Sequence, residues 1–182
     1  MFQARPFMCK EVEMVAVAEG AALVVLAVAL VRAARADLER RVIPNGCSAA
    51  VAASGLASAL LRALDEGGPA PVVRSALGAA VVLCVMVLAA AASRRLTGRA
   101  GVGGGDVKLL CAAGAWAGPA WGLAVVAGAC ATSLALSGAE YVFRRLTGHK
   151  NVIYRLGATA GGIPLGPGIA LTTLTVLLLG RH

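Results

Sequence analysis

The sequence predicts an all-α fold, a polytopic membrane bundle of about six transmembrane helices with the N-terminus outside. Three observations predict it. Apolar residues make up 59% of the 182 residues and charged ones only 14%, and the mean hydropathy is +0.81, well beyond an ordinary soluble domain. The apolar residues fall into runs close to the ~20 residues that one bilayer crossing requires. Lysine and arginine gather in the connections on one side of those runs.

The first span is expected from about Val12 to Val31, the second from about Gly46 to Leu64, and the third from about Val72 to Ala92, with polar or Pro/Gly-rich breaks between them. From Val107 to Ser137 the chain stays apolar for longer than one crossing. Gly118-Pro119 interrupts that run where these residues favour a turn, so two helices are expected there. The last span is expected from about Pro164 to Leu179. Residues 1–182 then form a single membrane-embedded domain, with no room left for a soluble one. A secretory-signal reading of the N-terminus, with Ala34-Arg35-Ala36 as its cleavage site, conflicts with Glu11, Glu13 and Glu19 ahead of the apolar run and with Arg32 and Arg35, which would have to cross the membrane.

Orientation follows from the basic loops. Arg32, Arg35, Arg40 and Arg41 follow the first span; Arg94, Arg95 and Arg99 follow the third; Arg144, Arg145, Lys150 and Arg155 follow the fifth. The opposite connections, 65–71 and 118–120, hold no basic residue, although Arg62 and Arg74 flank the first of them. Basic residues are retained in the cytoplasm, which puts these three loops inside. Arg5, Lys10 and Arg181 run against the trend. A net charge of +8 in short juxtamembrane loops, with aromatics at 4%, fits anionic lipid headgroups and gives no reason to expect nucleic acid. The scattered Cys9, Cys47, Cys84, Cys111 and Cys130 show no paired spacing and read as small apolar fillers rather than a disulfide framework or a zinc site.

Carboxylates are scarce enough to be informative. Glu11, Glu13, Glu19, Asp65, Glu66 and Glu140 lie near span ends or in loops, where water or headgroups solvate them. Asp37, Glu39 and Asp106 remain. An ionised side chain against hydrocarbon costs at least roughly 2.5–3.5 kcal/mol on insertion scales. Asp37 follows the first span and Asp106 opens the fourth from the same side, so the topology puts both acids at one membrane face. Two aspartates meeting in a poorly hydrated place share one proton. Such a pair hydrolyses peptides: the ionised member takes a proton from water as it attacks the scissile carbonyl, while the protonated member hydrogen-bonds the carbonyl oxygen and then protonates the leaving amine. That chemistry needs neither a covalent intermediate nor a metal. Gly103 and Gly105, lacking side chains, leave space for backbone or an extended substrate beside Asp106. Small residues also serve helix packing, the role expected of Gly114-xxx-Gly118 and Gly157-xxx-Gly161.

Asp37-Leu38-Glu39-Arg40-Arg41-Val42-Ile43-Pro44-Asn45 resembles the first aspartate motif of the type IV prepilin peptidases, in which an aspartate is followed by basic residues and then Ile-Pro-Asn. Gly103-Gly104-Gly105-Asp106-Val107-Lys108 resembles their second, the GxGD motif of these membrane aspartyl proteases, and Gly162-Ile163-Pro164-Leu165-Gly166-Pro167 is similar to the stretch that opens their last span. The resemblance implies an aspartic endopeptidase of the bacterial cytoplasmic (inner) membrane. It would remove the short basic leader from pilin or pseudopilin precursors at the cytoplasmic face. By residue match Asp37 and Asp106 are the catalytic pair. Ile43, Pro44 and Asn45 shape the start of the second span, Lys108 lies two positions past the second acid, and Pro164 and Gly166 complete the third motif. No cofactor is implied. Larger members carry a cysteine-rich zinc-binding insertion after the first span and also methylate the pilin. The 32–45 segment is too short for that insertion, so the chain resembles the compact, peptidase-only form of tight-adherence pilus systems. Glu39 stands where a basic residue is common, and is expected to tune the charge near Asp37.

His149 and His182 are isolated, no H-E-x-x-H arrangement supports a metalloprotease, and no G-x-S-x-G elbow supports a serine nucleophile. The alternative from another class is a small proton- or ion-coupled transporter. It calls for carboxylates near mid-membrane and related structural repeats, and the sequence suggests neither.

Overall fold

Helices form over the apolar runs, and each break falls on residues that resist continuing a helix. The computed structural model describes residues 5–98, 102–147 and 165–180. They fold as α1 (Arg5–Arg40), α2 (Asn45–Glu66), α3 (Ala70–Thr97), α4 (Gly104–Ala117), α5 (Pro119–Thr147) and α6 (Gly166–Leu179). Among the described residues there is no strand. α1, α2, α3 and α5 are long and apolar enough to cross a membrane. α4 and α6 have 14 residues each. At 1.5 Å per residue that is about 21 Å, short of a hydrocarbon core of ~30 Å. The two short helices pack on several neighbours, α4 on α2, α3, α5 and α6, and α6 on α1, α4 and α5, although Leu171, Leu178 and Leu179 of α6 stay exposed. Val28, Leu60, Leu88 and Leu134 face outward from the long helices, as lipid-covered surface does.

α1 continues past Val31, the expected end of the first span, to Arg40. Ala33, Ala34 and Ala36 favour helix, and the last turns of α1 still have α2 and α6 to pack against. The helix closes with the Arg41 N–H donating to the Asp37 carbonyl at 2.9 Å, Arg41 itself adopting φ 54°. Pro44 (φ −63°, ψ 132°) then stands as N-cap of α2, and a residue before proline is held out of the helical region, so Ile43 ends the connection rather than extending a helix.

The long apolar run from Val107 divides where the sequence predicts. Gly118 takes φ 80°, a region that penalises any side chain, and Pro119 opens α5, where a missing N–H costs nothing. Beside this turn α3 and α4 touch backbone to backbone. A Cβ on Gly78 would run into the Gly114 carbonyl oxygen, and one on Gly114 would lie 2.8 Å from the Gly78 oxygen. The packing role expected of Gly114 is therefore observed; Gly157 and Gly161 lie outside the described residues. Leu26, Leu30, Leu109, Leu110, Val125 and Ile169 are the large side chains that fill the core of the bundle. The C-terminal end of α1 and the N-terminal ends of α2, α4 and α6 converge at one end of the bundle, and both candidate acids lie there.

Candidate active site

Asp37 occupies the last turn of α1, where sequence reasoning placed a charge just beyond the span, and it is only 6% exposed. A buried carboxylate requires a hydrogen-bond donor. α6 supplies one: the Gly166 N–H donates to Asp37 Oδ2 at 2.7 Å. The N-cap of α6, Leu165, offers no side-chain acceptor, so Asp37 satisfies one of the orphan N–H groups of that helix from a different part of the chain. The approach is tight. A Cβ at Gly166 would lie 2.8 Å from Asp37 Cβ and 2.9 Å from its Oδ2. Arg41, one of the basic residues that follow the aspartate in the first motif, lies within Coulombic range of Asp37.

Asp106 stands in the first turn of α4, partly buried, and its carboxylate folds back to accept the Gly103 backbone N–H. This is the helix-start role open to any acid at that position. What distinguishes it is the neighbour, because Asp106 sits within Coulombic range of Asp37. The two acids belong to helices that do not pack directly on each other, since α1 and α4 bring no pair of Cα atoms within 8 Å. A Cβ at Gly103 would be 2.9 Å from Asp106 Oδ2, in keeping with the space expected beside that acid. At Gly105 the missing side chain admits the chain itself. Its open side is filled by Ile43 of the same chain, whose Cβ would lie 3.1 Å from a Cβ there.

The first two motifs are joined directly. Lys108 Nζ donates to Asn45 Oδ1 at 3.0 Å, linking the start of α4 to the start of α2 while buried Ile43 packs beneath. Pro44 fixes the turn between Ile43 and Asn45. Thus Asp37, Ile43, Pro44, Asn45, Gly103, Gly105, Asp106, Lys108 and Gly166 converge on one end of the bundle, whereas Pro164 lies outside the described residues. Glu39 turns outward, 54% exposed, with Arg35 as its partner at 3.9 Å, and so faces away from the pair whose charge it was expected to tune. Sequence reasoning missed the Gly166 amide as the partner of Asp37; the two residues are 129 positions apart and no local pattern links them.

A helical membrane bundle with two acids at the junction of four helix ends is the class of protein defined here. A family model described as type IV leader peptidase family matches residues 24–138, more than half of the chain and including both acids, and the chain belongs to that family. Leader peptidase activity is accordingly its general activity, and it is a membrane protein. No curated protein and no solved structure matches it.

Proposed function

We infer that the chain is an aspartic endopeptidase that removes the short basic leader of pilin or pseudopilin precursors at the cytoplasmic face of the bacterial inner membrane. The observation that carries this reading is the buried Asp37 with Asp106 in Coulombic range at the same end of a leader-peptidase bundle. The two carboxyl groups share one proton and hold a water between them. The ionised acid takes a proton from that water as its oxygen attacks the scissile carbonyl. The protonated acid donates to the carbonyl oxygen, and on collapse of the tetrahedral adduct a proton passes to the leaving amine. The Gly166 N–H keeps one oxygen of Asp37 occupied, leaving the other for the water.

The basic loops on the acid-pair side support a cytoplasmic location for the site and an outside N-terminus. The short α1–α2 connection supports a single peptidase domain without the zinc-binding insertion. Co-expression with a candidate precursor, followed by mass measurement of the product, tests the reading. Asp37→Asn and Asp106→Asn each abolish leader removal while the protein still inserts in the membrane; persistent cleavage in either variant removes that acid from the catalytic pair.

A further inference from the structure

Arg62 and Arg74 depart from the charge pattern of the rest of the chain. They flank the connection without basic loop residues, at the end of the bundle away from the acid pair. Arginines that anchor a helix end reach toward headgroups. These two also line a cavity of about 250 Å³ to which all six helices contribute, with Arg74 exposed at its mouth. Asp106 and Ala117 mark the two ends of α4, ~16 Å apart at 1.5 Å per residue, so the cavity is separate from the acid pair.

The charges around this cavity are only partly matched. Arg62 Nε donates to Glu19 Oε1 at 2.7 Å, an ion pair between α2 and α1 that neutralises both. Arg74 and Glu66 also line the cavity, and among the described residues neither has an ion pair within 4.0 Å. Arg74 is aimed by its stem, which lies against the α4–α5 turn; a Cβ at Gly118 would be 2.8 Å from Arg74 Nε. Ser58 and Ser75, both more than nine-tenths buried, place hydroxyl-bearing side chains in the same wall. The Trp116 indole N–H is already committed to the Val51 carbonyl at 3.0 Å.

A simple anion meets Glu66, a simple cation meets Arg74, and an apolar guest leaves both unmatched. The complement is a molecule with both charges. We propose that this cavity binds a small zwitterionic group, a phosphate or carboxylate seated on Arg74 beside Ser58 and Ser75, with a primary ammonium at Glu66. A guanidinium pairs well with either oxyanion through parallel N–H donors. The volume equals that of about eight waters at ~30 Å³ each, enough for a lipid headgroup of the ethanolamine phosphate type or a free amino acid and far too small for a helix.

The test uses the whole chain reconstituted in nanodiscs of equal phosphatidylethanolamine and phosphatidylglycerol, released into mild detergent and weighed by native mass spectrometry with its retained lipid. Wild type retains phosphatidylethanolamine in preference. Arg74→Gln and Glu66→Gln each lower the retained fraction by about tenfold or more, the scale of one lost charge-assisted hydrogen bond. In lipid-free detergent, glycine and O-phosphoethanolamine raise the thermal midpoint of wild type and of neither variant if the guest is a free solute. Retention of lipid without response to the solutes identifies a headgroup. Glu66 is exposed at the rim, so Glu66→Gln leaves folding intact and decides the matter even if Arg74→Gln fails to fold. Equal retention of both lipids with no solute response, or wild-type binding by Glu66→Gln, overturns the proposal.

Discussion

Adding one methyl group at Gly166 tests whether the position of Asp37 controls catalysis. In Gly166→Ala the new Cβ lies 2.8 Å from Asp37 Cβ, 2.9 Å from Oδ2 and 3.2 Å from Cγ, where ordinary contact is 3.4–4 Å. A Cβ moves only with its backbone, so α1 and α6 must separate locally by roughly 1 Å to restore ordinary contact, carrying Asp37 with them. Displacement lengthens the 2.7 Å bond from the Gly166 N–H, and a hydrogen bond to a charged group contributes ~1.5–3 kcal/mol. A catalytic group moved by ~1 Å loses on the order of 10²-fold in rate, equivalent to ~2.7 kcal/mol of barrier. The expected result is a fall in kcat of that order with KM changed far less, measured on reconstituted enzyme and a precursor peptide. Gly20→Ala serves as the control, because a Cβ there meets nothing within 4 Å, and it retains full rate. If Gly166→Ala cleaves within about twofold of wild type while folding normally, the contact does not govern Asp37 and the reasoning fails.

The Lys108–Asn45 hydrogen bond is exposed and adds little to stability, yet it ties the turn bearing Asp106 to the start of α2. Lys108→Met and Asn45→Ala each slow leader removal by roughly three- to tenfold, and the double variant is no slower than either single one, because the two side chains act as a unit. Fully additive losses would show that they act separately. Gly78→Val drives a branched side chain into the Gly114 carbonyl, so it destabilises the α3–α4 contact by about 1–3 kcal/mol or more, read as a lower thermal midpoint in detergent. An unchanged midpoint would mean that the seam relaxes freely.

Hydropathy made the helices legible because each is dictated locally: a run of apolar residues, then glycine or proline where the chain must turn. The division at Gly118-Pro119 was readable for that reason. α1 was harder, since its final turns from Arg32 to Arg40 carry charge and no longer look like a span, although neighbouring helices keep them helical. The candidate acids were legible through scarcity and motif. Their surroundings were not. Gly105 gave no sign that Ile43 would occupy its open side, and Glu19 and Arg62 looked like separate interfacial charges until two helices set them 2.7 Å apart.

The order of residues alone determined that this protein lives in lipid, where it turns, which of its ends carry positive charge and which acids are unusual, because those properties depend on transfer energies summed over neighbouring residues. Only the tertiary structure decided what each acid faces. Asp37 accepts a hydrogen bond from an amide of α6, Asp106 lies within Coulombic range of Asp37, and Arg74 and Glu66 share a cavity. Those relations depend on how helix faces meet across more than a hundred residues of chain, and packing between faces leaves no periodic trace along the sequence.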